Sequence, residues 1–209
     1  MSKLKKIQKR FLKHVRRSRM LFVTVTVVAL TIGTMLLIER NTMTADYTHL
    51  LGIIAEGESK GNYNAYFGNA GNASIDFTNM SVGEVLEWQR RYVERGHASN
   101  AVGKYQFIRP TLLGLVDEMN IDHSIHFDAA LQDRLAIRLL ERRGVHDYLI
   151  GRISREHLAH NLSKEWAALP RVIGSDPNSS YYAGDGLNHS RVSADQVLTA
   201  IDSLKTSNA

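Results

Sequence analysis

An uncharged stretch of 18 residues near the N-terminus constrains this chain more than any other feature of its sequence. Residues 21–38, LFVTVTVVALTIGTMLLI, include no charged side chain. As a helix they would span about 27 Å, close to the hydrocarbon thickness of a bilayer. The valines and threonines disfavour a helix in water, but lipid forces one because every backbone polar group there needs an internal partner. The stretch therefore predicts a transmembrane anchor.

The residues before this stretch predict its orientation. Residues 1–20 contain nine Lys or Arg and no acidic residue, and positive charge stays on the cytoplasmic side. We expect a cytoplasmic tail over residues 1–20 and the body of the chain on the opposite side of the membrane. A cleaved signal peptide is an alternative, but its apolar region usually has 7–15 residues, and the best cleavage site here, before Asp46, has Met43 at the −3 position. A buried helix of a soluble protein is the second alternative.

The net charge of the chain changes from positive to negative after residue 20. The whole chain carries a net charge of +5, whereas the remaining 189 residues hold 17 basic and 21 acidic residues, a net charge of −4. The body therefore lacks the basic balance typical of a nucleic-acid-binding protein. The basic tail could also contact anionic lipid, although we interpret it first as a topology signal. With no cysteine in the chain, disulfides, thiolate metal sites and thiol nucleophiles are excluded.

Residues 48–205 have the pattern of one domain, preceded by a polar linker over residues 39–47. Apolar spacing and helix start and stop signals predict a mainly α domain. The stretch from residue 61 to residue 79 is rich in glycine and asparagine and predicts a small β or coil lobe, with room for a hairpin. The expected helices cover residues 49–58, 82–94, 110–119, 127–143, 155–169 and 193–204.

Five short motifs fall in a fixed order along this domain, and the first places a glutamate at the end of an apolar helix. They are Ala55-Glu56-Gly57, residues 101–107 (AVGKYQF), residues 131–144 (LQD to ERRG), residues 166–170 (WAALP) and residues 181–184 (YYAG). Over about residues 48–203 this order resembles the phage lambda lysozyme family, whose members are lytic transglycosylases with a lysozyme-like α+β fold. The anchor is not part of that family's pattern.

The resemblance implies that Glu56 is the catalytic acid and base. It would protonate the glycosidic oxygen between N-acetylmuramic acid and N-acetylglucosamine, and the 6-hydroxyl of the muramic acid would attack C1 to form a 1,6-anhydro end. A carboxyl in an apolar setting suits this role because desolvation raises its pKa. The side chains expected to bind substrate are Tyr63, Asn64, Tyr105, Gln106, Tyr181 and Tyr182.

Two alternatives to a transglycosylase stay open. A hydrolytic muramidase needs a second carboxylate, and the aspartate and threonine of the T-even phage lysozymes are replaced here by Ala65 and Gly71. Asp76 is the candidate that remains, and Glu58 could serve as the acid if the first helix ends early. A non-catalytic wall-binding or virion structural protein is the other alternative.

No cofactor and no metal ion is expected. The histidine pairs of this chain lack an HExxH motif, cysteine or a clear third carboxylate ligand. The expected partners are peptidoglycan glycan strands, membrane lipid through residues 21–38, and a phage virion or an envelope-spanning machine. The expected location is the inner membrane or a phage-associated membrane.

Overall fold

The computed structural model of the protein describes residues 45–204. Seven α-helices and one 3₁₀ helix account for the regular structure of this part. The predicted tail and anchor, residues 1–20 and 21–38, lie outside the described residues, as does most of the linker. None of the helices in residues 45–204 is long and apolar enough to cross a membrane. The α-helices are α1 (Thr48–Ser59), α2 (Val82–Glu94), α3 (Arg109–Glu118), α4 (Ala129–Arg142), α5 (Val145–Leu149), α6 (Arg155–Ser163) and α7 (Ala194–Asp202), and the 3₁₀ helix is Phe77–Asn79.

Helix α2 forms over the predicted residues, and its start is fixed by side chains. The Ser81 hydroxyl accepts the backbone N–H of Glu84, and the Glu84 carboxylate accepts the backbone N–H of Ser81. This reciprocal pair satisfies two N–H groups that the first turn leaves without a helical partner. A capping box therefore fixes the start of α2.

Helix α4 has the clearest amphipathic pattern and lies at the centre of the domain. Its leucines at positions 131, 135 and 139 recur every four residues and are buried, as one face of a helix requires. The helix packs against α1, α3 and α5. It begins two residues later than predicted because Asp128 accepts the N–H of Leu131 and caps its first turn.

Two helix predictions need correction. Helix α6 ends at Ser163 rather than at residue 169, and the apolar residues that follow, Trp166, Ala168 and Leu169, are buried from an irregular segment. Burial without regular structure produced an apolar pattern that extended the predicted helix. The short helix α5 was not predicted, because Gly144, with a φ of +105°, ends one helix and immediately begins the next.

The small lobe contains no strand in the described residues, only isolated bridges such as Tyr66 with Asn69 and Tyr66 with Val102. Asparagine side chains take the place of a ladder. Asn72 is 5% exposed, and its amide donates to the carbonyls of Asn64 and Ile75 while its oxygen accepts the N–H of Ser74. The asparagine-rich composition therefore stabilises a compact loop, since these side chains bond to nearby backbone groups.

Candidate active site

The C-terminal end of α1 places two glutamates in different environments. Glu58, the penultimate residue of the helix, is half-buried, and its Oε1 accepts the backbone N–H of Ala168 at 3.0 Å. Burial raises the pKa of Glu58, although the Ala168 hydrogen bond and the charge of Arg191 act in the opposite direction. Glu56 lies on the exposed side of the same helix.

The glycine between the two glutamates allows a close contact. A Cβ at Gly57 would lie 2.9 Å from the Cβ of Ala168, so a larger residue would push the end of α1 away from the segment after α6. The Gly57 carbonyl also accepts the Arg191 guanidinium at 3.3 Å. The Glu-Gly motif therefore has a packing reason, and this packing brings Glu58 to the Ala168 N–H.

The residues of the AVGKYQF motif form a tight turn beside this helix end. Gly103 has a φ of +80° and Gln106 a φ of +50°. The Ser59 hydroxyl donates to the Lys104 carbonyl at 2.7 Å. Trp166 Nε1 donates to the Tyr105 carbonyl at 3.3 Å. The turn thus contacts both the end of α1 and the WAALP segment, and three of the five motifs meet here.

Two of the predicted substrate-binding tyrosines converge on one carboxylate of α4. The hydroxyl of Tyr105 donates to Asp133 Oδ1 at 2.6 Å, and that of Tyr63 donates to Asp133 Oδ2 at 2.9 Å. The Lys104 ammonium donates to the Tyr63 hydroxyl at 2.9 Å and lies 3.5 Å from Asp133. Burial raises the pKa of Tyr105, and the bond to Asp133 adds to the effect.

These contacts give the two tyrosines different positions. Tyr105 is 1% exposed, so its ring belongs to the core and offers a sugar almost no surface. Tyr63 is half-buried and keeps part of its ring accessible. Gln106 is also half-buried, and its amide donates to the Gly103 carbonyl. Sequence reasoning gave no role to Lys104 or Asp133, although both stand inside motifs, because a motif does not reveal which side chains pair across the chain.

Asn64 and Asp76 meet at the surface of the small lobe. The Asp76 carboxylate accepts hydrogen bonds from Thr78 Oγ1 and Asn79 Nδ2, both at 2.6 Å, and from Asn64 Nδ2 at 3.4 Å. The bonds from Thr78 and Asn79 are the main cause of a lowered pKa of Asp76. Asp76 is therefore ionised at neutral pH.

Tyr181 and Tyr182 lie together on the loop before α7. They are 46% and 40% exposed, and the Tyr182 hydroxyl donates to the Lys164 carbonyl at 2.7 Å. The Lys164 ammonium lies 5.8 Å from the centre of the Tyr181 ring.

Among residues 45–204, no three histidine or acidic side chains are grouped so that they could hold a metal ion.

A family comparison decides what kind of enzyme this arrangement belongs to. The model of the endolysin family matches residues 50–183, which include both glutamates, the Gly103–Gln106 turn and the exposed tyrosine pair. The chain belongs to the endolysin family. It is accordingly a phage-type peptidoglycan-degrading enzyme with a lysozyme-like domain. No curated protein and no solved structure gives a significant match to this endolysin.

Proposed function

We propose that this endolysin is a membrane-anchored lytic transglycosylase that cleaves the β-1,4 bond between N-acetylmuramic acid and N-acetylglucosamine, with Glu58 as its acid and base. The observation that carries the proposal is the environment of Glu58. Its carboxyl is desolvated enough to have a raised pKa, yet part of its surface stays open to solvent. A general acid must combine these two properties, because it must hold a proton near neutral pH and reach the substrate.

The Glu-Gly motif predicts Glu56 as the catalytic acid, and that assignment stays a prediction. Its exposed position gives it no comparable desolvation, and so we assign the acid to its neighbour two residues on. Both glutamates are at the end of α1, and one pair of isosteric variants separates them.

The proposed reaction uses one carboxyl twice. Protonated Glu58 gives its proton to the glycosidic oxygen as the bond from that oxygen to C1 of the muramic acid breaks, and positive charge develops at C1 and the ring oxygen. The 6-hydroxyl of the same sugar then bonds to C1 and loses its proton to the Glu58 carboxylate. The products are a free 4-hydroxyl and a 1,6-anhydro end, and the enzyme regains its starting protonation state.

The substrate would be held by side chains around the end of α1. We propose that five side chains bind it: Tyr63 beside α4, Gln106 in the Gly103–Gln106 turn, Asn64 on the small lobe, and Tyr181 and Tyr182 on the loop before α7. Aromatic faces suit the apolar faces of sugar rings, and amides suit acetamido groups. For Tyr105 we propose an indirect role, since its ring is buried.

A hydrolytic muramidase is the second candidate, and Asp76 is the observation that favours it. Its lowered pKa keeps it ionised, as a carboxylate that stabilises the positive charge at C1 or activates water must be. Its three hydrogen-bond donors already use much of its accepting capacity, and for this reason we place the transglycosylase first.

The test is digestion of purified peptidoglycan by the full chain and by its Glu58→Gln and Glu56→Gln variants, with the muropeptides weighed by mass spectrometry. We expect products lighter than ordinary reducing muropeptides by one water, retained in Glu56→Gln and reduced by at least about 100-fold in Glu58→Gln. The opposite pattern would return the role to Glu56. Ordinary reducing ends lost in Asp76→Asn would establish the hydrolase, and a folded chain that yields no product would favour the non-catalytic alternative.

The proposal also includes the anchor. The 18 uncharged residues after a basic tail support a single span with a cytoplasmic N-terminus and a periplasmic catalytic domain. Such a tether would confine the enzyme beside its insoluble substrate, for host lysis, for opening the wall at the start of infection, or within an envelope-spanning machine.

A further inference from the structure

Two successive backbone carbonyls, those of Lys104 and Tyr105, accept hydrogen bonds from the two segments that meet at the Glu58–Ala168 contact. The Lys104 carbonyl accepts the hydroxyl of Ser59, which follows Glu58 at the end of α1. The Tyr105 carbonyl accepts Nε1–H of Trp166, two residues before the Ala168 N–H that binds the Glu58 carboxyl. The Lys104-Tyr105 dipeptide therefore joins the segment that holds the proposed acid to the segment that holds its hydrogen-bond donor.

The dipeptide is itself held in place by two residues of α4. The Lys104 N–H donates to Gln132 Oε1 at 2.9 Å, and Gln132 is fully buried. The Tyr105 hydroxyl is anchored on Asp133. Gln132 thus holds the backbone of Lys104, and Asp133 holds the side chain of Tyr105. Because these two residues are adjacent on α4, they give the Lys104 and Tyr105 carbonyls a rigid support.

The side chains that bind these carbonyls are also buried. Ser59 is 1% exposed and Trp166 3% exposed, so neither is available to touch a glycan strand. The Ser59 hydroxyl lies 3.2 Å from the Ala55 carbonyl one turn back, a longer distance than the 2.7 Å to Lys104. The hydroxyl therefore binds chiefly across the chain and not within its own helix.

We propose that the Lys104-Tyr105 dipeptide is a positioning element that sets the distance between the Glu58 carboxyl and the Ala168 N–H, with Ser59 and Trp166 as its two positioning residues. The inference rests on the proposed role of Glu58. A hydrogen-bond donor held at a fixed distance lowers the pKa of a carboxyl, and small misplacements of a catalytic group reduce turnover steeply. Neither residue is a catalytic residue, because neither reaches the substrate.

The test compares full-chain Ser59→Ala and Trp166→Phe with a matched control, Ser163→Ala. Ser163 is the last residue of α6, as Ser59 is of α1, is fully buried, and donates its hydroxyl only to the nearby His160 carbonyl. Trp166→Phe removes the N–H and keeps an aromatic ring. For each variant, kcat and KM on soluble, uncross-linked glycan strands are measured from pH 4 to pH 9, with thermal denaturation as the check of folding.

We expect kcat to fall about 10-fold in Ser59→Ala and in Trp166→Phe, with KM within about twofold, following the steep dependence of rate on geometry. The basic limb of the pH profile should move to higher pH, because a weaker Ala168 bond lets the pKa of Glu58 rise. The neighbouring charged residues are unaltered in both variants. They are Arg191 in the segment before α7, whose charge lowers the pKa of Glu58, and Glu56 and Lys60, which flank Glu58 in the sequence of α1 and its C-cap. Ser163→Ala should keep the parent's kcat and pH profile.

The outcomes separate this inference from the proposed function. If Glu58→Gln is inactive while both positioning variants keep the parent's kcat and pH profile, the positioning role is wrong and the assignment of the acid stands. If all three serine and tryptophan variants lose the same activity in proportion to their thermal stability, the role is merely structural and the inference is again overturned. If Glu58→Gln is fully active, there is no acid to position, and both ideas fail together.

Discussion

At the scale of single residues, the carboxyl of Glu58 carries an energetic conflict. Burial disfavours its ionised form, and the Ala168 N–H and Arg191 offset only part of this effect, so that its pKa stays raised in the folded state. In the unfolded chain a glutamate has a pKa of about 4.3. The folded protein therefore binds more protons than the unfolded one, and stability is lost as the pH rises through the pKa of folded Glu58.

This conflict predicts that the proposed acid is maintained at the expense of stability. Glutamine keeps the shape and the accepting oxygen of protonated Glu58 but cannot ionise. We expect Glu58→Gln to raise the free energy of unfolding at pH 7.5 and to leave it unchanged near pH 3.5, below the unfolded pKa. Urea denaturation of the full chain at the two pH values measures this, with Glu56→Gln as the control that should change neither. A Glu58→Gln protein that is less stable than the parent at pH 7.5 would show that burial does not raise the pKa of Glu58.

The same two glutamates show how far a sequence can locate a site of this kind. The Glu-Gly motif and the apolar run before it predicted that the acid lies at the end of the first helix. The resemblance assigned the acid to Glu56, and the case for Glu58 could not be seen in the sequence, because the groups that interact with its carboxyl, Ala168 and Arg191, are more than 100 positions away. Lys104 and Asp133 were overlooked for the same reason.

At the scale of elements, the Gly103–Gln106 turn depends on one glycine. With a φ of +80°, Gly103 has a conformation that residues with a Cβ rarely adopt. A Cβ there would also lie 2.4 Å from Gln132 Oε1 and 3.1 Å from the Phe127 ring. Gln132 cannot withdraw easily, because its amide also donates to the carbonyls of Tyr63 and Phe127.

Gly103→Ala therefore combines a backbone penalty with a steric one, and a second glycine separates the two. Gly68 has nearly the same φ, +81°, but has open space around its would-be Cβ. We expect Gly68→Ala to lower the free energy of unfolding by about 1–2 kcal/mol from backbone strain alone, and Gly103→Ala by about 2–5 kcal/mol because overpacking adds to it. Denaturant titration of both variants checks this, and equal losses would show that Gln132 gives way freely.

Local signals predicted elements well where the signal itself forms the structure. The capping box of α2 set its start because Ser81 and Glu84 bond to each other's backbone. The end of α6 was misjudged because Trp166 is buried by a tertiary contact, its bond to Tyr105, and apolar periodicity cannot distinguish that from a helix. The small lobe was predicted as turn-rich, but its asparagine bonds replace the hairpin for which the composition left room.

At the scale of the whole molecule, tail charge and body charge are opposite, and this suits a tethered enzyme. The body carries a net charge of −4, so it has no general attraction to an anionic cell wall. A free enzyme of this kind would depend on its binding side chains alone. A membrane tether supplies a high effective concentration near the wall without any contact between body and glycan, which is a physical reason for an anchor to accompany such a domain.

The proposed anchor predicts whether the full chain stays with membranes. An arginine near the centre of a membrane helix costs about 2.5–3.5 kcal/mol, so Val28→Arg together with Leu30→Arg should cost about 5–7 kcal/mol and prevent insertion. We expect the parent chain to stay with membranes after carbonate washing and the double variant to be released. The control carries the same two charges outside the run, as Asn41→Arg with Thr44→Arg, and should stay with membranes. If the Val28 and Leu30 variant also resists the wash, residues 21–38 are not the anchor. If the parent chain is itself released, attachment of the basic tail to anionic lipid replaces the transmembrane anchor as the hypothesis.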